Sequence, residues 1–140
     1  MFKKIIVGLD FSDTSERAAK VAVALAQGLH AEVVLVHVIA PGADYTDPAR
    51  FIAEVRPAIE EQLQARVKKF AVPGVKIDWG VVDGRPAEEI AGFASKWGGD
   101  MIVAGTAGKG GVTRMLLGSV AERLVRIATV PVMVVGPENG

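Results

Sequence analysis

Five short apolar runs divide this chain at near-regular intervals: KIIVGL (4–9), EVVLVHV (32–38), VKIDWGVV (75–82), DMIVAG (100–105) and VPVMVV (130–135). Each has the length of a strand. Between them, apolar residues return at helical spacing. Ala18, Val21, Leu25 and Leu29 form one stripe; Ile52, Val55, Ile59, Leu63 and Val67 a second; Ile90, Ala94 and Trp97 a third; Val120, Leu124 and Ile127 a fourth. The chain thus reads as strand and helix in alternation, the pattern of α/β proteins whose helices cover both faces of a parallel sheet. A length of 140 residues supplies one core, so a single domain spanning 1–140 is expected.

The runs also carry information about strand order. A strand covered on both faces reads as a continuous apolar run, whereas a half-covered strand alternates. The first, second and fourth runs are continuous and belong inside the sheet. In the third, Val75, Ile77, Trp79 and Val81 alternate with Lys76, Asp78 and Gly80, which suits an edge. The fifth carries Pro131, which has no N–H to give a neighbour and is tolerated mainly at edges. With short, right-handed crossovers this predicts a single-domain, open, twisted five-stranded parallel sheet of Rossmann-like type, order 3-2-1-4-5. The order 2-1-3-4-5 would leave the continuous second run at an edge.

In the preferred order the connections reverse between strands one and four, and the crevice at their carboxyl ends is where such sheets bind ligands. Asp10 and Gly105 stand at those two ends. The fifth run is too apolar for an edge left in water. A homodimer built partly on 130–135 is therefore predicted.

Helix-start signals agree with these boundaries. Asp13 with Glu16 forms a capping box, and Asp47 precedes Pro48 at a first helical position. Pro57 falls inside the second stripe, where it should kink or split the helix. The segment 41–57 is accordingly predicted to be a mobile loop. Trp79 and Trp97 read as packing residues, His37 as a hydrogen-bonded core residue and His30 as a surface residue after a helix.

Composition excludes several functions. Sixteen basic and sixteen acidic side chains cancel, leaving no global field to hold a nucleic acid or an acidic membrane surface. The absence of cysteine removes disulfides, thiol nucleophiles and thiolate zinc sites. The lysines of MFKKIIVGLDFSD precede a run too short for a signal peptide, which meets Asp10 and Asp13 almost at once. No segment approaches the roughly 20 apolar residues that span a bilayer. A cytoplasmic protein without membrane insertion is expected.

The stretch GTAGKGGVTRMLLGS (105–119) holds five glycines and two basic residues, but no acid, Cys or His. It follows the fourth run and leads into the last helix, so it lies across the predicted crevice. Glycines at 105, 108, 110 and 111 permit positive φ and let phosphate oxygens approach the amides. The helix beyond Gly118 adds a partial positive charge and free N–H groups. Two common phosphate motifs are absent: Lys109 is followed by Gly110 rather than Ser or Thr, and GLDFSD stands where a dinucleotide fingerprint would be.

The spacing that is present, Gly105-x2-Gly108-x9-Gly118-Ser119, resembles the G-x2-G-x9-G-[ST] nucleotide-binding signature of the universal stress protein family. The likeness extends through KKIIVGLDFSD, VVLVHV, GRPAEEI, GGDMIVAGT and LLGSVAERLVRIATVPVMVV. It implies that Asp10 contacts ribose or the polar part of a nucleotide, that the Val38 backbone meets adenine, and that Gly105, Gly108, Gly118 and Ser119 contact ribose and phosphate. Thr106, Lys109, Gly110 and Val120 complete the candidate set. Members with this signature generally bind ATP, here expected with Mg²⁺. Ala107 departs from the pattern, since many relatives carry His or Arg there.

Other readings of these residues compete. Ser119 and Glu122 spell a capping box, Asp10 suits the turn before a helix, and Lys109 and Arg114 can be solvated charges. Hydrolysis needs a positioned water, metal coordination and a group that stabilises charge on the transferring phosphate. Near the crevice only Asp10, Asp13, Lys109 and Arg114 offer themselves, which favours regulatory binding over turnover. The alternative is a slow ATPase or autophosphorylating enzyme. A receiver-type phosphoacceptor, suggested by Asp10 and Asp13, conflicts with the strand order.

Overall fold

A computed structural model describes residues 1–43, 45–107 and 117–138. Along the chain run β1 (Lys4–Gly8), α1 (Asp13–Leu29), β2 (Glu32–Ile39), α2 (Pro48–Phe70), β3 (Ile77–Asp83), α3 (Pro86–Trp97), β4 (Met101–Gly105), α4 (Ser119–Ile127) and β5 (Val132–Val135). The strands form one parallel sheet in the order β3-β2-β1-β4-β5, as the run composition predicts. Successive strand residues point to opposite faces, and the core is accordingly double. Ile5, Val7, Val33, Leu35 and Val103 meet α1 and α2, while Ile6, Val34, Val36, Ile102 and Ala104 meet α3 and α4.

Helix α1 reaches the sheet through small residues. Ala18, Ala19, Ala22 and Ala26 are buried, whereas Leu29 of the predicted stripe is largely exposed and Val21 and Leu25 only half-buried. Side chains this small let the helix axis lie close to the strands, so larger residues are pushed to the flanks. Its N-cap is Ser12, whose Oγ accepts from the Ser15 N–H at 3.3 Å, so Asp13 is the first helical residue rather than the predicted cap. Glu16 of the supposed box pairs instead with Arg66 at 2.9 Å and Lys69 at 3.5 Å.

Helix α2 runs unbroken from Pro48 through Pro57, so the predicted split is absent and much of 41–57 is helical. Asp47 caps it as expected, accepting from the Arg50 N–H at 3.2 Å. The hydrogen bond that Pro57 cannot give concerns the carbonyl of Ala53. Both residues are exposed, so water can satisfy that oxygen. Trp97 also departs from expectation: it ends α3 half-exposed against Phe93, with ring centroids 5.8 Å apart.

The two sheet edges differ. Val33 N–H donates to Lys76 O, so by the two-residue alternation the carbonyl of Val81 faces outward from β3. Arg56 reaches over from α2 and donates to it through Nη2 at 3.3 Å. On the other side, Pro131 precedes β5 and its carbonyl accepts from Ile102 N–H. Val132, Met133 and Val134 are half-buried.

Candidate functional site

The chain leaves β1 through a turn braced by side-chain hydrogen bonds. Asp10 Oδ1 accepts from the Ser12 N–H at 2.9 Å and also takes the Ser12 hydroxyl proton in a short bond. Ser15 Oγ accepts from the Asp10 N–H at 3.2 Å. Phe11 between them adopts φ +66, the left-handed region that costs a non-glycine residue about 1–2 kcal/mol. Two contacts to its ring help offset that cost. It stacks on His37 at 4.9 Å, and the Arg66 guanidinium lies 5.1 Å from the ring centroid. His37 in turn is hydrogen-bonded through Nδ1 to the Leu9 carbonyl at 2.7 Å, as expected, but it is half-buried rather than a core residue.

Strand β4 ends hard against this turn. A Cβ on Gly105 would lie 2.7 Å from the carbonyl carbon of Thr14 and 2.8 Å from the Ser15 nitrogen, so only glycine fits. Thr106 N–H donates to Val135 O at 3.0 Å, and Thr106 O accepts from Gly118 N–H at 2.5 Å. The intervening segment therefore begins and ends at one place. Gly118 is the N-cap of α4, with Ser119 as its first helical residue. The capping box read from Ser119 and Glu122 is thus not made, and Glu122 instead pairs with Arg126 at 2.9 Å.

These ends surround a cleft of about 330 Å³ at the carboxyl termini of β1 and β4, within the range of small-molecule sites. Asp10, Val38, Gly105, Thr106, Gly118, Ser119 and Val120 all line it. Gly108, Lys109, Gly110 and Arg114 lie outside the described residues. The cleft is chemically two-sided. Val36, Val38, Pro86 and Ile90 make one end apolar, and Pro86 removes an N–H from the start of α3. The N-terminus of α4, with the N–H groups of Ser119 and Val120 in its first turn, makes the other end rich in amide donors.

Sequence reasoning missed Gly8, Ser15, Pro86 and Ile90 as cleft residues. Gly8 had a readable signal, a glycine at a strand end, which often marks close approach. Here Ile90 Cδ1 would meet its Cβ at 2.8 Å. Among the described residues, no group of three or more His, Cys, Asp and Glu is placed to hold a metal ion, and no helix is long and apolar enough to cross a membrane.

Sheet order and cleft position define an α/β protein with a cleft at the switch point, where such sheets bind ligands. The chain belongs to the universal stress protein family, whose sequence pattern matches residues 1–136. It is 41% identical over 140 residues to universal stress protein MJ0531 of Methanocaldococcus jannaschii, covering 96% of this chain and 82% of that one. The solved structure of MJ0577, from the same organism, matches with TM-score 0.87 and 32% identity over 100% of this chain and 99% of that one. A universal stress protein of Archaeoglobus fulgidus solved in complex with dAMP shares the fold, with TM-score 0.68 and 24% identity over 96% and 99% of the two chains.

Proposed function

We propose that this chain is a regulatory protein that binds ATP in the β1/β4 cleft. The observation that carries the reading is the convergence of seven candidate residues, distant in sequence, on one two-sided cavity. The apolar end suits the flat face of a purine, and the α4 amides suit phosphate oxygens. That a related protein was solved with dAMP supports an adenine nucleotide as the class of ligand. Asp10 lines the same cleft at the end of β1, where a ribose hydroxyl can donate to the oxygen not held by Ser12.

Mg²⁺ commonly binds through one or two carboxylates together with substrate phosphates. Among the described residues no group of three or more His, Cys, Asp and Glu is placed to hold the ion, so in this reading it would be held chiefly by the triphosphate oxygens. When bound, the ion would offset phosphate charge.

Calorimetry with ATP on the wild type and on the Gly108→Val, Gly118→Val double variant tests the reading. The wild type is expected to bind and the variant to lose at least tenfold in affinity, about 1.4 kcal/mol; indistinguishable isotherms would refute it. A second reading, slow hydrolysis or autophosphorylation, draws on the exposed position of Ser119 at the cleft. Phosphate release or label on the protein in the same incubations distinguishes it.

A further inference from the structure

The chain between β1 and α1 is anchored at both ends, and Phe11 joins the anchored parts. Leu9 is tied to β2: its N–H donates to Val36 O at 2.8 Å, and its carbonyl is bonded to His37 Nδ1 at 2.7 Å. Ser12 belongs to α1, its carbonyl accepting from the Glu16 N–H at 2.9 Å. The Asp10 carboxylate is held through Oδ1 by the N–H and hydroxyl of Ser12. Where that N–H stands relative to Asp10 is determined by the backbone of Phe11, whose φ of +66 lies in the left-handed region. The supports of its ring come from outside the turn. His37, which also holds the Leu9 carbonyl, stacks on it at 4.9 Å, and Arg66 of α2 lies 5.1 Å from its centroid while pairing with Glu16 at 2.9 Å.

We propose that Phe11 is a positioning residue for ribose recognition: its ring, held by His37 and Arg66, keeps the left-handed turn that fixes the Asp10 carboxylate at the cleft. This rests on the nucleotide reading above. Two substitutions separate a conformational role from simple packing. Alanine discards the ring but keeps the Cβ that disfavours left-handed backbone, whereas glycine discards both. Were the ring only filling space, glycine would be the more damaging change, since it adds backbone freedom to the same lost contacts. With the ring holding a conformation, glycine is the milder one.

The test is calorimetry on the wild type, Phe11→Ala and Phe11→Gly with ATP and with 2′,3′-dideoxy-ATP, which keeps base and triphosphate but has no ribose hydroxyl to give Asp10. Urea unfolding establishes that each variant is folded. The wild type is expected to prefer ATP about tenfold, the order set by one hydrogen bond to a charged group. Phe11→Ala is expected to weaken ATP about fivefold, as the competent turn loses population, with the dideoxy nucleotide within about twofold of wild type. Phe11→Gly is expected to bring ATP back to within about twofold of wild type. Equal binding of the two nucleotides by the wild type, equal weakening of both by Phe11→Ala, or unchanged ATP affinity in that variant overturns the inference alone. So does a Phe11→Gly variant that binds ATP no better than Phe11→Ala. A wild type that binds neither nucleotide overturns the nucleotide reading and the inference together.

Discussion

A methyl group added at Gly105 would press into the backbone of α1, whereas one added at Gly92, in the exposed middle of α3, meets nothing within 4 Å. The same substitution should thus have opposite signs at the two sites. Gly105→Ala is expected to destabilise by about 1–3 kcal/mol through overpacking, and Gly92→Ala to stabilise by about 0.5–1 kcal/mol through helix propensity. Urea unfolding of the two variants measures both. Single residues were legible as cleft residues where a strand end or the glycine spacing carried the signal, as with Asp10, Gly105 and Gly118. The bond from Thr14 Oγ1 to the Ala107 carbonyl was not legible. DFSDTS offers several side chains able to cap or brace a turn, and Ala107 lies 93 residues away. The left-handed Phe11 was equally hidden, because its support comes from β2 and α2 rather than from its neighbours.

Elements were more readable than residues, and their failures share a cause. Strand order followed from which runs were continuous, because burial on two faces acts on composition directly. Helix faces were less legible, since the stripes were weighted toward large apolar residues while α1 uses alanines to approach the sheet. Pro57 was over-read for a related reason. Local chemistry penalises a proline in a helix, but α2 is held by Leu63 and Phe70 in the core, and the defect falls on its wet side. Replacing Pro57 with alanine should therefore stabilise the protein by about 1–3 kcal/mol, the cost of an interior proline less what it saves in the unfolded chain. A higher urea midpoint with an unchanged slope is the expected result.

At the scale of the whole molecule, β5 remains the proposed homodimer surface, on the strength of its apolar composition and half-buried valines. Sedimentation at micromolar concentration should give the mass of a pair, and Val134→Lys should shift it to that of one chain. A monomeric wild type would remove the proposal. Arg56 bears on what such a pair could become. A sheet with two free edges can add copies at both ends and grow without limit, whereas a two-fold pairing through one edge consumes it. The opposite edge carries a guanidinium seated on the Val81 carbonyl, so a pair joined through β5 would show only stoppered edges to further copies. Association would then be self-terminating, and Arg56→Ala is expected to add concentration-dependent species heavier than the pair. One arginine would thus separate a finite assembly from a polymer.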